Sequence, residues 1–473
     1  MKINWFSPLP PLKTEIANAT ARILPALSQH ADVTLWTDQD AWSAELEKFA
    51  DVRRYSLETL GGDELVDGIN VFNPGNNVQF HYSIFQAMER FSGLVIMHDP
   101  VLFDACAARC LRAERNVEGF LTQLEFYYGH RGRKDGERFF LNAIKGRAYD
   151  VLDSMLANYP MTALGLEFAQ GVLVHSAKVA EEMEEYGCFP VEFAELAYDA
   201  VSAEPPAPVE KDGPIRLILF GFISPNRCLD EAFEAVARLR SKVSLRLDIF
   251  GELWDEEYVD RAIARLGIGD SVAFHGYVAE DELNSAIRRA DLAINLRRPT
   301  RGESSGTQLR LWENGCPGIV TRDGWYAGID PRAVIFAEPG SEIEQICRAV
   351  EQLTEDRCCF REIAVRGHEV LREKHTPAAY VRSLLHLAEQ RQEGEVDHRL
   401  ALREHTCQET VSTERINQLL DLKDQMRRGR ELRNTKLDTI LRFRQFGGRI
   451  LKAPVIAPLF GDRLRAALRG NRN

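Results

Sequence analysis

The stretch from Asp291 to Gly328 constrains the fold more than any other part of the chain. An apolar run at 292–296 is followed by a polar loop, a helix-like segment that begins at Gly306, and a second apolar run at 318–321. In an open parallel α/β sheet, this order places the loop and the helix start beyond the carboxyl end of the strand, where ligands bind. Free N–H groups at such a helix start favour phosphate. The stretch therefore predicts a parallel sheet with a phosphate-accepting edge.

Glu303, in the loop of this stretch, admits two interpretations. A carboxylate beside a helix N-terminus suits sugar hydroxyls, because it accepts their hydrogen bonds. Glu303, Ser304 and Ser305 can equally do no more than cap the helix, since Ser and Glu in a first turn satisfy its unpaired N–H groups. The isolated stretch leaves both interpretations open.

The alternation of strands and helices extends through most of the chain. Strands are predicted at 2–6, 32–37, 51–57, 69–72, 94–97, 171–174 and 191–196, and then at 215–220, 245–250, 272–274, 292–296, 318–321 and 334–336. Strands that alternate with helices imply parallel sheets. A stretch rich in Pro and Ala at 197–213 has no hydrophobic periodicity and predicts a linker between two domains.

The length and composition are consistent with two or three domains, and the cysteine pattern indicates a cellular compartment. The 473 residues are 45% hydrophobic and 27% charged, which is ordinary for globular proteins. The nine cysteines show no metal-ligand spacing, and the N-terminus lacks a signal-peptide pattern, so we expect a reducing cytoplasm and predict no metal or other cofactor. No apolar run approaches the roughly 20 residues of a membrane-spanning helix. Any membrane contact is expected to be peripheral.

Candidate binding residues also follow the predicted strands of the first half. A proline-rich loop after the first strand carries Lys13, just before a helix predicted at 14–27, and can face ligand or serve as a plain connection. The strand at 94–97 ends in His98 and Asp99, a position where chemistry usually occurs in parallel sheets. A histidine can hold a hydroxyl as donor or acceptor. Asp99 precedes a proline and can instead simply cap the next helix.

The Glu-Ser-Ser-Gly run at 303–306, with its apolar helix and the Gly-x-Pro at 315–317, resembles the donor loop of retaining glycosyltransferases of family 4. The flanking runs LRRPTRGESSG and TRDGWYAGI resemble one branch of that family. The resemblance covers about residues 1–390 and implies the α/β GT-B fold, two doubly wound parallel-sheet domains facing across a cleft. It implies an acceptor-side domain (1–196), the linker (197–213), a nucleotide-sugar-binding domain (214–375) and a helix returning to the first domain (376–390). Beyond the resemblance, the sequence pattern predicts a C-terminal helical extension (391–473).

The resemblance also implies roles for particular residues. Glu303 should contact the donor sugar or the leaving diphosphate, and the N–H groups of Gly306 and Thr307 should contact phosphate. The remaining expected donor-binding residues are Arg227, Ser304, Ser305, Arg297, Arg301 and Lys13, and the expected catalytic partners near the reacting carbon are His98 and Asp99. Asn76 and His81 lie in a run similar to the family's G-N-x-x-x-H and should face the acceptor; His81 is also expected to begin a helix. Positive side chains and a helix end can stabilise a departing diphosphate without metal.

Two positions depart from the family pattern. Phe222 stands where the family has a phosphate-binding Arg, and Arg310 or Leu311 stands where a second Glu holds the ribose. We expect transfer of a sugar, with retention, from a nucleotide diphosphate sugar to a saccharide or lipid-linked saccharide, as in cell-envelope polysaccharide synthesis. The departures motivate an alternative: a catalytically silent GT-B scaffold that binds a nucleotide sugar or a partner glycosyltransferase.

The extension beyond the resemblance ends in a basic tail. Residues 427–473 carry 13 Lys and Arg against 3 Asp and Glu, whereas the whole chain has a net charge of −12. Apolar and aromatic residues recur at helical spacing there, which fits an anionic membrane surface, the acidic body of the chain or another protein subunit. No aromatic stacking platform accompanies the charge, which argues against nucleic acid. The stretch 400–441 reads as one long helix, but charges in its heptad seam argue against a regular coiled coil.

Overall fold

The computed structural model describes residues 1–58, 60–61, 65, 68–145, 147–198, 202, 204–206, 213–428 and 432. The chain divides into two compact units, Met1–Ala194 with Tyr380–Asn473, and Glu195–Ala379. Each unit is built around its own parallel sheet. The basic tail beyond residue 432 lies outside the described residues.

The first unit contains a seven-stranded parallel sheet with the order β3-β2-β1-β4-β5-β6-β7. Its strands are β1 (Lys2–Phe6), β2 (Asp32–Thr37), β3 (Asp51–Arg54), β4 (Ile69–Phe72), β5 (Gly93–Met97), β6 (Ala169–Val174) and β7 (Val191–Phe193). The register sets Ile3 opposite Ile69 and Phe6 opposite Phe72. The strand order reverses beside β1, and ligands of open α/β sheets bind at such a switch point.

Helices cover both faces of this sheet in the doubly wound manner. They are α1 (Glu15–Leu27), α2 (Val78–Met88), α3 (Phe103–Ala108), α4 (Val117–Ile144), α5 (Tyr149–Asn158) and α6 (Ala177–Glu184), with a π turn at Arg109–Ala113 and short 3-10 turns at Ala44–Lys48 and Thr162–Gly165. Side-chain caps decide where two of them begin. Thr14 accepts a hydrogen bond from the N–H of Ile16, and Asn77 accepts one from the N–H of Gln79 at 3.0 Å.

Two sequence predictions about helix starts are wrong. The helix expected to begin at His81 begins at Val78, because Asn77 caps it three residues earlier. Asp99 does not cap the next helix, because α3 begins at Phe103 and Leu102 occupies the capping position.

The second unit contains a six-stranded parallel sheet with the order β10-β9-β8-β11-β12-β13. Its strands are β8 (Ile215–Phe220), β9 (Leu245–Phe250), β10 (Val272–Gly276), β11 (Leu292–Ile294), β12 (Gly318–Thr321) and β13 (Ile335–Ala337). The helices are α7 (Leu229–Leu239), α8 (Glu256–Leu266), α9 (Glu280–Arg289), α10 (Gly306–Glu313), α11 (Glu342–Glu355) and α12 (Arg361–Lys374), with 3-10 turns at Pro225–Arg227, Gly269–Ser271 and Gly324–Gly328. The strand order again reverses, here between β8 and β11.

The last helices pack on the first unit. They are α13 (Pro377–Gln390), α14 (Arg399–Thr406) and α15 (Thr413–Arg427). The prediction of one long helix from 400 is wrong, because α14 and α15 are separate. Glu409, between them, accepts hydrogen bonds from the N–H groups of His130 (2.6 Å) and Arg131 (3.1 Å). It thereby caps the second half of α4, which kinks at Gly129 with φ of 70°.

The buried face of α15 contains a charged residue. Leu419, Lys423 and Met426 are buried there, and Nζ of Lys423 lies 2.6 Å from a carboxylate oxygen of Glu167. One of the seam charges that argue against a coiled coil is thus part of an intramolecular ion pair. No helix in the described ranges combines the length and hydropathy needed to cross a bilayer.

Candidate active site

At the carboxyl edge of the second sheet, two glycines allow very close packing. Gly221 follows β8 and Gly251 follows β9, with φ values of 109° and 119°. A Cβ on Gly251 would lie 1.9 Å from the carbonyl oxygen of Gly221, and a Cβ on Gly221 would lie 2.5 Å from Nη2 of Arg227. Glycine is required at both positions, because the backbone conformation and the space exclude a side chain. The space so created holds the guanidinium of Arg227.

Arg227 is buried without an ion-pair partner among the described residues. Its guanidinium donates hydrogen bonds to the carbonyl oxygens of Phe220 and Phe222 and to Oδ1 of Asn295, each at 3.2 Å. Among the described residues, no carboxylate lies within ion-pair distance of it. Burial, and then repulsion from Arg297, hold the pKa of Arg227 well below its usual value. A bound anion would offset this cost, because a buried charge is stable only when paired.

The loop after β11 is organised by Glu303. One carboxylate oxygen accepts hydrogen bonds from the N–H of Arg301 at 2.7 Å and from the hydroxyl of Thr300 at 3.3 Å. The other lies 3.3 Å from Nε of Arg297. Glu303 therefore stabilises the conformation of its own loop and keeps the guanidinium of Arg297 beside that loop. The interpretation of Glu303 as a cap of the next helix is wrong, because its partners lie in its own loop.

Ser305 is the residue that caps α10. Its hydroxyl accepts a hydrogen bond from the N–H of Gln308 at 3.1 Å. The side chain of Asn295 donates to Oε1 of Gln308 at 3.0 Å, and so joins the helix start to Arg227. Among the described residues, no acceptor takes the N–H groups of Gly306 and Thr307. These groups remain able to bind an anion at the positive end of the helix dipole.

The remaining arginines of the loop differ in their surroundings. Arg298 pairs with Glu231 and, at 3.2 Å, with Glu342, and so belongs to a separate ion-pair network. Arg301 is half-buried and contributes its backbone N–H to the Glu303 carboxylate. Ser304 is half-buried between them and the helix. The structure thus places Arg227, Arg297 and Glu303 at one edge, beside the start of α10.

The two positions that correspond to the family's second Glu hold residues with other contacts. Arg310 pairs with Glu280, and Leu311 is fully buried. Glu313 accepts a hydrogen bond from the hydroxyl of Tyr198 at 2.8 Å. Neither position supplies a carboxylate for a ribose diol, and Glu313 is already engaged.

At the carboxyl edge of the first sheet lie three histidines, of which two bond to Asn73. His98 is half-buried and bonds through Nε2 to Oδ1 of Asn73 at 3.3 Å, while His81 is buried and bonds through Nδ1 to the carbonyl oxygen of Asn73 at 3.2 Å. His175, buried at the end of β6, lies with its ring centroid 4.9 Å from that of His98. Burial lowers the pKa of His81 and of His175 to about 4. Burial and the two neighbouring rings hold the pKa of His98 well below 6.5. All three rings are neutral at pH 7.

The other expected residues of this edge shape the loop after β4. The N–H of Asn76 donates to Oδ2 of Asp99 at 3.2 Å, and Oδ1 of Asn76 accepts from the N–H of Ala105 at 2.9 Å. Asn76 and Asp99 thus fix the loop next to the histidines. Lys13 is exposed beside the start of α1. Its position fits a proline-rich connection as well as a ligand contact.

Sequence reasoning missed Asn73, Asn295 and the contact role of His175. Each follows directly on a buried parallel strand, as a polar residue after an apolar run. A polar residue directly after an apolar run is therefore the sequence signal that could have identified them. Among the described residues, no group of three or more His, Cys, Asp or Glu side chains could hold a metal ion.

Comparison with known proteins gives a match in the second half of the chain. A family model described as "Glycosyl transferase-like" matches residues 230–386. Mannosylfructose-phosphate synthase of Agrobacterium fabrum (strain C58 / ATCC 33970) is 30% identical over 135 residues, which make up 26% of this chain and 29% of that protein. The chain therefore spans less than a third of the length of that relative.

Solved structures extend the similarity to most of the chain. HepE of Anabaena, in complex with UDP-glucose, matches with a TM-score of 0.51 and 15% identity over 82% of this chain and 98% of that one. Sucrose-phosphate synthase from Thermosynechococcus elongatus matches with a TM-score of 0.53 and 13% identity, over 82% of this chain and 98% of that one. At these identities the similarity concerns the fold. The two parallel-sheet α/β units thus have the GT-B fold of these glycosyltransferase structures, and residues 230–386 match a glycosyltransferase-like family.

Proposed function

We propose that this chain is a glycosyltransferase that moves a sugar, with retention, from a nucleotide diphosphate sugar to a saccharide or lipid-linked saccharide acceptor. The observation that carries the proposal is the buried guanidinium of Arg227, which has no ion-pair partner among the described residues and lies beside Arg297 and the start of α10. A diphosphate supplies the anion that this arrangement lacks. The family match over 230–386 and the GT-B fold support the same function.

The proposed chemistry uses the second unit to stabilise the leaving group. Negative charge develops on the diphosphate as the bond to the sugar breaks. Arg227, Arg297 and the N–H groups of Gly306 and Thr307 are fixed before the reaction, so they stabilise that charge without reorganising. Glu303 contacts the donor sugar or the diphosphate and keeps Arg297 in place. The proposed reaction requires no metal or other cofactor.

On the first unit, the proposal assigns His98 to a hydroxyl near the reacting carbon. Asp99 and Asn76 hold the adjoining loop, and buried His81 supports Asn73 rather than meeting substrate itself. Retention follows from the resemblance of the donor loop. We further propose a cytoplasmic protein that acts in cell-envelope polysaccharide synthesis, with residues 427–473 as a peripheral contact to an anionic membrane or a protein partner.

Nucleotide binding tests the proposal first. The full chain is heated with UDP, GDP or ADP, alongside the variant Arg227→Gln and the matched control Arg238→Gln, which alters an exposed arginine of α7. A ligand at 100 times its dissociation constant adds about 2.7 kcal/mol of stability. We expect one nucleotide to stabilise the wild type and the control alike. Losing a charge-assisted hydrogen bond of about 1.5–3 kcal/mol should weaken that binding roughly 10- to 150-fold in Arg227→Gln. Equal affinity in all three proteins would place the phosphate elsewhere.

A second candidate is a catalytically silent GT-B scaffold that binds a nucleotide sugar or a partner enzyme. Two observations favour it: the side chain of Phe222 is 48% exposed at the edge where an arginine is expected, and both oxygens of Glu303 are engaged within its own loop. The scaffold predicts nucleotide-sugar binding without release of nucleoside diphosphate. Measured release in the presence of a saccharide acceptor would exclude it.

A further inference from the structure

The group formed by Asn73, His98 and His175 has a definite arrangement of protons. Nδ2 of Asn73 donates to the carbonyl oxygen of Phe6 at 3.4 Å, so Oδ1 is the atom that faces His98. An amide oxygen can only accept a hydrogen bond. Nε2 of His98 therefore carries the proton, and Nδ1 of the neutral ring is left as a lone pair. No described residue donates to that lone pair.

The second ring is fixed in the opposite way. Nδ1–H of His175 donates to the carbonyl oxygen of Ala194 at 3.0 Å. Its Nε2 is therefore a lone pair, and it is buried without a hydrogen-bond partner. The two rings lie 4.9 Å apart. The two rings cannot both be charged at this distance without repulsion, and burial favours the neutral form of each.

The hydrogen-bond partners of the rings are also uncharged. Among the described residues, the hydrogen-bond partners of His81, His98 and His175 are two backbone carbonyls and one amide oxygen. A carboxylate or phosphate placed here would face lone pairs and no cation. A hydroxyl or amino group would instead donate a proton to the open acceptor.

We propose that Asn73 selects the Nε2–H tautomer of His98, so that Nδ1 of His98 accepts a hydrogen bond from a neutral hydroxyl or amino group of the sugar substrate. Asn73 is a positioning residue, and burial beside His175 keeps the accepting ring neutral. The inference deepens the proposed function and depends on it for the identity of the ligand. It restricts this position of the substrate to groups that carry a proton and no negative charge.

The tautomer can be measured directly in the full chain without ligand. Protein labelled with 15N-histidine is studied by long-range proton–nitrogen correlation at pH 7, and the His98 signals are assigned by their loss in His98→Gln. We expect the proton on Nε2 in the wild type and in Asn73→Asp, which retains an acceptor. Asn73→Leu should show a mixture of tautomers, whereas Asn142→Leu, at a half-buried asparagine of α4 that bonds to the carbonyl oxygen of Arg138, should not differ from the wild type.

Ligand and rate measurements complete the test. UDP-glucose, UDP-galactose, UDP-N-acetylglucosamine, GDP-mannose and ADP-glucose are screened by thermal shift, and the strongest binder is added to the labelled protein. We expect the Nδ1 signal of His98 to move and the Nε2 signal to stay. Loss of one neutral hydrogen bond should lower kcat/KM about 2- to 12-fold in Asn73→Leu, with partial recovery in Asn73→Asp.

Several results would overturn the inference. In the wild type, a proton on Nδ1 of His98 or a charged His98 ring at pH 7 would contradict it. An unchanged tautomer in Asn73→Leu would also contradict it. The wild-type spectrum decides the matter even if Asn73→Leu fails to fold. If no nucleotide sugar binds while His98 carries its proton on Nε2, the proposed function fails and the tautomer assignment stands.

Discussion

Glu303 is the residue whose chemistry separates an enzyme from a scaffold. Its carboxylate joins Arg297 to the loop N–H of Arg301. Glu303→Gln keeps the shape and removes the charge, so we expect the fold to survive. The loss of a charge-assisted contact of about 1.5–3 kcal/mol should slow sugar transfer roughly 10- to 150-fold. Steady-state rates of the variant provide the measurement.

The control for Glu303→Gln is Glu338→Gln. Glu338 is an exposed carboxylate of the same unit, paired with Arg322 at 2.8 Å. Its variant should keep the wild-type rate. Full turnover in Glu303→Gln would reduce Glu303 to a loop-closing residue.

At the residue scale, the sequence predicted several candidate side chains at these edges but missed the amides Asn73 and Asn295. Arg227, Glu303 and Ser305 were found because they lie in motifs of fixed spacing. Asn295 was not, since its partner Arg227 is 68 residues away in sequence. Asn73 and His98 are 25 residues apart. Such contacts arise only when parallel strands bring their carboxyl ends to one edge, which spacing along the chain does not reveal.

At the element scale, strand positions followed from apolar runs, whereas several boundaries did not. β11 ends at Ile294, two residues before the apolar run does. The next residue is the polar Asn295, whose side chain hydrogen-bonds to Gln308 and Arg227. The helix α2 starts at Val78 because Asn77 caps it, whereas His81 was expected to begin it. In the extension, the heptad pattern identified the buried face of α15 but not the break before it. Helix ends depend on single side-chain contacts that periodicity does not contain.

The ion pair of Lys423 predicts how strongly α15 is fixed to the first unit. Glu167 also accepts a hydrogen bond from the hydroxyl of Tyr127 at 2.6 Å, and Nζ of Lys423 lies 4.8 Å from that ring. Lys423→Met leaves a buried carboxylate unpaired, which typically costs about 3–5 kcal/mol. We expect urea unfolding to show that loss.

Two further variants make the Lys423 experiment specific. Lys178→Met, at an exposed lysine of α6, should change stability by less than about 0.5 kcal/mol. Combining Lys423→Met with Glu167→Gln should recover much of the loss, because neither residue of this ion pair then carries a charge. An undiminished loss in the double variant would show that packing, rather than charge, fixes α15.

At the scale of the whole molecule, the buried histidines predict a loss of stability in mild acid. The pKa of His81 and of His175 is about 4 in the folded chain, against 6.5 when unfolded. As pH falls, the unfolded chain binds protons first. Stability is therefore fully present above pH 6.5 and declines between pH 6.5 and 4, by about 2 kcal/mol per ring at pH 5. Urea unfolding at pH 7.5 and pH 5 measures it.

His175→Gln provides the comparison for the pH experiment. It removes one of the shifted rings, so its stability should fall less between the two pH values than that of the wild type. An equal fall would assign the acid sensitivity to other groups.

The structure also decides where the chain should be cut to test membrane contact. A chain that ends at Gln390 would lose α14 and α15 and the contacts of Glu409 and Lys423, whereas a chain that ends at Leu432 keeps them. We expect the full chain to co-sediment with anionic vesicles at low salt, because each basic residue near such a surface contributes about 1 kcal/mol. The chain ending at Leu432 should remain in solution. If both remain in solution, residues 433–473 are better sought in a protein interface.

The most direct test of the whole account is the release of nucleoside diphosphate by the full chain from the five nucleotide sugars named above, with and without a saccharide acceptor. The account predicts release from at least one donor, faster with acceptor, and at least about tenfold slower in Arg227→Gln but not in Arg238→Gln. A folded chain that binds and turns over none of these donors, or an Arg227→Gln variant as fast as the wild type, would contradict it.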